Sequence, residues 1–439
     1  MKQIICKCTH NANYAFTTGY IGLNDGEGSF SIAVTFGINK VKHPWSVSGT
    51  FRNLTVYTPF THPDISVMLM VNGVATALSV SLLGSDTIKS NISDDIAINA
   101  GDDVVLRLTS AAPVLYPGYS LGFSIEFEGN QAVYGICPFT GGGTAGVAHF
   151  GGAFGNGVFQ TFGGSNNSNT YSICAAAGNI TRLDLKTYSG APGASSWVGY
   201  IRKNSILQDG SGGTVNTTCT ITGGATSANS SFTLPVVEGD HLDIYVIRNG
   251  LDVGFANAHV AASVAFNPTV AGQFMMCGGS NDAISGIDIG WKWTRSEQLA
   301  NLESKALAPI GDNGFNALGL YVEVSGAPGP GRSFTYTLRR SGVDTLITVT
   351  VQDLDTSGSI IATVPFISGQ YTTIQITPNN SPIGGLGFHW GLALDTSVAP
   401  PPPDNPLCGI YKIVPYSGKT NDTLYSSLSP ITTINVKIP

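Results

Sequence analysis

Charge is the scarcest ingredient of this 439-residue chain: Lys, Arg, Asp and Glu together make up 11% of it. Soluble domains average about 25%. Hydrophobic residues still reach 42%, so the chain is not disordered, a state that combines low hydrophobicity with high charge. A coiled coil is excluded as well, because it would be rich in Ala, Glu, Lys, Leu and Arg. A net charge of −7 without basic clusters argues against nucleic acid as a partner. Long apolar runs are also missing. Within Met1 to Phe16 the apolar run after Lys2 is only Ile4-Ile5, broken by Cys6, Lys7 and Cys8. A signal peptide needs about 7–15 apolar residues and a membrane helix about 18. The expectation is a soluble chain with no visible signal peptide and no membrane insertion. No C-x-x-C pair occurs, which removes the common zinc and thiol-redox motifs. The seven cysteines read as isolated buried thiols. The seven histidines form no H-E-x-x-H, and Asp25-Gly-Glu27 and Asp353-Leu-Asp355 do not fill an EF-hand loop. No cofactor, metal or catalytic residue is expected.

What is present is repetition punctuated by 55 glycines. Phe51-Arg-Asn-Leu-Thr-Val-Tyr57 aligns with Ile180-Thr-Arg-Leu-Asp-Leu-Lys186 and Phe315-Asn-Ala-Leu-Gly-Leu-Tyr321. A Pro/Gly turn follows each, at Pro59 to Asp64, Ser189 to Ala194 and Ser325 to Pro330, the last two sharing S-G-A-P-G. Then comes a segment of period two, the mark of a half-buried strand. One face reads Ile65, Val67, Leu69, with counterparts Trp197, Gly199, Ile201 and Phe334, Tyr336, Leu338. Gly101-Asp102 and Gly239-Asp240 supply matching turns, and Gly369-Gln370 departs from that pattern. Apolar closing strands run over 121–127, 260–266 and 386–394. Cysteine recurs at the unit starts, at Cys6, Cys137, Cys277 and Cys408.

Many short strands with regularly spaced turns predict an all-β chain of antiparallel sandwiches. Units of about 130 residues suit an eight-stranded jelly roll better than a seven-stranded sandwich. The expected division is residues 1–130, 131–270 and 271–397 as three tandem jelly-roll domains. Residues 398–439 then form a Pro-rich spacer and a partial fourth unit. Its strand-like residues Ile410, Tyr411, Ile413, Val414, Ile434, Val436 and Ile438 are candidate assembly residues, because a lone strand pair is barely stable by itself. Thr294-Arg-Ser-Glu297 predicts one helical turn, followed by a strand near Leu302 to Ala308.

Two catalytic motifs dissolve in context. Gly118-Tyr-Ser-Leu-Gly122 fits G-x-S-x-G, but an alternating strand follows where a nucleophile elbow needs a helix. It reads as a turn. Gly141-Gly-Gly-Thr-Ala-Gly146 has no helix behind it to hold a phosphate. Trp197 aligns with core positions. Trp291 and Trp293, two apart on one strand face, are core-filling or, if exposed, a glycan platform. Sequons begin at Asn53, Asn91, Asn166, Asn179, Asn216, Asn229 and Asn421, candidate glycosylation sites where an export route exists.

The A-P-G turn, alternating strand, G-D turn and closing strand resemble the tandem jelly-roll modules of phage and virus structural proteins and of environmental fibril-forming proteins. That resemblance implies a non-enzymatic subunit that self-assembles with copies of itself into an extracellular filament, a tube or a virion component. C-terminal strand addition to a neighbour is the expected route. The alternative is an adhesin or receptor-binding fibre whose partners are cell-surface glycans.

Overall fold

The computed structural model describes residues 1–397 apart from 13–17, 24–40, 60, 112–116, 142–147, 155, 163–170, 189–194, 251–257, 285, 287, 293–301 and 385. These residues form six antiparallel sheets, and their helical content is one 3-10 turn, Glu303–Lys305. Every described ladder stays within residues 1–129, 132–268 or 273–395, called here the first, second and third segments.

Each segment contributes two sheets. In the first, one sheet runs in the order Lys2–Ala12, Pro117–Gly129, Gly49–Tyr57, Ile88–Asn91, with Ile96–Ile98 also on Gly49–Tyr57. The other runs Thr18–Ile21, Asp103–Ser110, Ile65–Val71, Val74–Leu82, with His43–Pro44 also on Asp103–Ser110. In the second segment, Ala132–Gly141, Ala258–Pro268, Gly178–Thr187 and Ser227–Val236 form one sheet. Its companion runs Asn156–Phe162, Ala148–Gly152, His241–Asn249, Ser196–Lys203, Ile206–Leu207, with Ser172–Ile173 and Cys219–Ile221 attached. In the third, the orders are Gln273–Ile284, Leu386–Asp395, Phe315–Val324, Ser357–Phe366, and Gly290–Lys292, Tyr371–Asn379, Gly329–Arg340, Val343–Asp353, with Ala308–Pro309 on Tyr371–Asn379.

The alternating residues face the cores as their pattern requires. Phe51, Val56, Phe123 and Phe127 from one sheet of the first segment meet Ile65, Val67, Leu69 and Leu106 from the other. Trp45 fills the centre, its ring 4.8 Å from Phe51 and 5.0 Å from Phe127. Trp197 and Phe334, the expected counterparts of Ile65, are buried.

Backbone hydrogen bonds recur in register. Trp45, Cys174 and Ile310 donate to Asp102, Asp240 and Gln370 respectively, each at 2.8 Å. Gly101, Gly239 and Gly369, with φ of 93°, 86° and 78°, donate back to the same three residues. Asp102 and Asp240 each accept the amide three residues upstream, at Asn99 and Val237. Gln370 does the same for Ile367 at 3.0 Å, so the departure from Gly-Asp preserves the turn.

Four sequence expectations need correction. Gly118 to Gly122 is no turn but part of the strand Pro117–Gly129, paired along Lys2–Ala12. Gly122 answers to crowding instead: a β-carbon there would lie 2.8 Å from the Leu307 carbonyl oxygen and 2.7 Å from Pro309 Cδ. In the third segment Ala317, not Phe315, takes the Phe51 position, because Gly49, Gly178 and Phe315 pair with the equivalent Ile98, Val236 and Phe366. A two-residue offset leaves strand periodicity unchanged and is invisible in the pattern. Likewise, Cys6 and Cys277 match Gly135, not Cys137: they pair with Ser124, Gly391 and Ser263. The helical turn expected at Thr294 lies outside the described residues. The strand expected near Leu302 to Ala308 does not form there: Glu303–Lys305 makes a 3-10 turn, and only Ala308–Pro309 pairs as a strand.

Candidate functional site

Several buried polar and titratable side chains of the described residues lie where the segments meet. A short strand and the residues after it in each segment press on the first and closing strands of another. Ser46 of the first segment shares a 2.5 Å hydroxyl hydrogen bond with Ser263 of the second. At the equivalent place, the Ile173 carbonyl of the second segment lies 2.4 Å from where a β-carbon on Gly391 of the third would stand. Gly311 of the third in turn faces Ser124 of the first, its virtual β-carbon 3.0 Å from Oγ. The contacts therefore run in a closed cycle: first on second, second on third, third on first.

The seams share a geometry and differ in chemistry. At one repeated position the pairs are Lys186–Asp103, Glu323–His241 and Tyr57–Tyr371. Lys186 Nζ lies 2.9 Å from Asp103, which also accepts the Tyr188 hydroxyl at 2.7 Å and lies 3.6 Å from Lys42 Nζ. His241 Nε2 lies 2.6 Å from Glu323. The Tyr57 and Tyr371 rings stand 4.3 Å apart. Tyr171 stacks on His241 and on His389 at 4.3 and 4.4 Å, so the second–third seam is a column of three rings. Burial, with Glu323 beside it, pushes the Tyr171 hydroxyl well above its ordinary pKa.

A second repeated position shows size complementarity. His43 of the first segment faces Gly135 of the second, whose virtual β-carbon would lie 1.9 Å from His43 Cδ2. The matching strand residues elsewhere are Ser172 with Cys277 and Ala308 with Cys6. His43 is fully buried, and among the described residues neither ring nitrogen has a hydrogen-bond partner. Burial, assisted by the Lys7 charge, lowers its pKa to about 3.

The third–first seam holds a buried carboxylate. Glu126, 1% exposed, accepts from Asn53 Nδ2 at 2.9 Å and from Asn313 Nδ2 of the third segment at 2.6 and 2.8 Å. Lys2 Nζ stands 3.8 Å away. Thr396 Oγ1 donates to the Lys2 carbonyl at 2.7 Å, tying the end of the third segment to the start of the first. Sequence reasoning missed Glu126, Asn313, His43 and the paired seam residues. The only local signal was the third-segment offset, which the strand period conceals.

The residues singled out from sequence fall elsewhere. Trp291 pairs with Gln375 in the backbone register of Gly290–Lys292; Trp293 lies outside the described residues, as do Ile410, Tyr411, Ile413, Val414, Ile434, Val436, Ile438, Asn166 and Asn421. Asn216 and Asn229 are exposed, and Asn91 and Asn179 are half-buried. Asn53 is buried with its amide committed to Glu126, which leaves no room for a glycan in the folded chain. Cys6, Cys174 and Cys219 are buried, and burial pushes the Cys174 and Cys219 thiols up to about 12. Among the described residues no group of three His, Cys, Asp or Glu could hold a metal ion, and no helix is long and apolar enough to cross a membrane. No protein-family model and no curated protein matches the chain.

Proposed function

We propose that the chain is a non-enzymatic structural subunit, three jelly-roll modules in tandem, that self-assembles into a filament, tube or virion component. The cyclic set of seams carries this reading. A docking surface used three times within one chain is head-to-tail, the kind of contact from which closed rings and open polymers are built. The weakly charged exterior supports it, since little ionic hydration is lost when such faces are covered. Open edges such as Ser357–Phe366 expose Ser357, Ser359, Ile361 and Thr363, with no charge among them. Uncharged edges pair readily with strands of other chains. The sequence-derived donor is the stretch around Ile410 to Val414 and Ile434 to Ile438.

Electron microscopy of the purified chain, at rising concentration, tests the reading. Ordered assemblies are the expected result. A particle that stays a 45.7 kDa monomer at every concentration would overturn it. Assemblies that persist after deletion of residues 404–439 would remove the strand-donor part alone.

A further inference from the structure

We infer that the seam between the third and first segments is exchangeable and joins different copies of the chain. This inference rests on the structural-subunit reading and names the partner: a second copy, entering head to tail. The first and second segments are tied by two residues, Asn130 and Gln131, and the second and third by residues 269–272. Links of that length reach only about 10–18 Å when fully extended, so those seams cannot part far. The third–first seam has no such link within the described fold. It is closed by Glu126 with Asn313, Tyr57 with Tyr371 and Thr396 with Lys2.

When this seam opens, a chain carries two complementary ends. One is the first-segment face around Tyr57, Gly122, Ser124 and Glu126; the other is the third-segment face around Leu307, Gly311, Asn313 and Tyr371. A seam made in trans uses the same contacts as one made in cis. The balance between them is therefore set by the effective concentration of the chain's own third segment against that of its neighbours, typically of mM order for short tethers. Dilute chains close on themselves. Crowded chains interlock, and because the contact is head-to-tail the interlocked form propagates.

The test places the photo-crosslinking residue p-benzoylphenylalanine at Tyr371 of the full chain and mixes isotopically heavy and light copies. The mixture is concentrated to about 1 mM, the scale on which trans pairing competes, and irradiated. Mass spectrometry should find position 371 of one copy joined to first-segment peptides of the other, with a yield that rises with concentration. The same residue at Lys186, in a linked seam, should give within-chain adducts only. Native mass spectrometry of the unsubstituted chain should show dimers that survive rapid dilution, a readout independent of the substitution. Within-chain adducts alone from position 371, or between-chain adducts equally from position 186, overturn the inference. Assemblies seen by microscopy without trans adducts sink this seam and leave the structural-subunit reading intact. Trans adducts without ordered assemblies do the reverse.

Discussion

Gly135→Ala should destabilise the protein, and His43→Ala should reverse the sign of that effect. The added methyl would sit 1.9 Å from His43 Cδ2 and 2.2 Å from Nε2. Ordinary carbon contacts are about 3.5–4.0 Å, so the imidazole would have to retreat by about 1.5–2 Å. Overpacking a close-packed interior costs about 1–3 kcal/mol, and the depth of this overlap places the substitution at about 3 kcal/mol. Removing the ring should itself be cheap, about 1 kcal/mol, because the cavity term is offset by the loss of two buried nitrogens that have no hydrogen-bond partner among the described residues. In that background alanine fills vacated space and is favoured over glycine in a strand by about 0.5–1 kcal/mol. The double variant should then be more stable than Gly135→Ala alone, with a coupling of about 3.5–4 kcal/mol. Urea unfolding followed by tryptophan fluorescence suits the measurement, since the Trp45 and His43 rings stand 5.8 Å apart. Midpoints should shift at constant slope. Additive single effects, or a Gly135→Ala variant as stable as the parent, would refute the packing of the first segment on the second.

His43 also sets a pH dependence. Its pKa falls from 6.5 in the unfolded chain to about 3 when folded, so the unfolded state binds the extra proton in between. Its contribution is complete above pH 6.5 and is lost as pH falls, by about 1.4 kcal/mol per pH unit towards pH 3. A His43→Ala variant should lack that part of the slope in urea titrations between pH 4 and 6.5, and equal slopes would contradict the assignment. Glu126→Ala should cost about 2–3 kcal/mol, because it strands the buried Asn53 amide, and Asn313→Ala only about 1 kcal/mol. A cycle on Glu126 and Asn313 with zero coupling would show that the third–first seam is not made there. Gln370→Ala should cost about 1 kcal/mol for the lost bond to Ile367, while Gln370→Asp should be nearly neutral. Loss of stability in both would break the equivalence with Asp102 and Asp240.

Much of the fold was legible because strands reveal themselves through alternation. Ile65, Trp197 and Phe334 were matched from sequence, and their shared burial follows from a period of two along each strand. The same period hid the offset at Phe315 and made Gly118 to Gly122 look like punctuation. There the glycine serves an approaching backbone from the third segment, a demand no local pattern carries. The seams were illegible for a different reason. Tyr57, Lys186 and Glu323 occupy one structural position with three unrelated chemistries, and each is explained only by its partner in a distant segment. Gln370 shows the converse, a residue that breaks the motif yet keeps its hydrogen bond.

The bond between Glu126 and Asn313 spans 187 residues of sequence. At a synthesis rate of about 5–20 residues per second, the ribosome leaves that carboxylate waiting about 10–40 s for its partner. At the repeated seam position the partners in the other two seams emerge sooner, Lys186 83 residues after Asp103 and Glu323 82 after His241, against 314 between Tyr57 and Tyr371. A growing chain therefore displays one unfinished docking face throughout most of its birth, beside sister chains on the same messenger. That last face to close carries the buried Glu126 carboxylate, which water solvates well while it waits. The placement of Glu126 thus keeps the nascent surface hydrated until the third segment arrives to claim it.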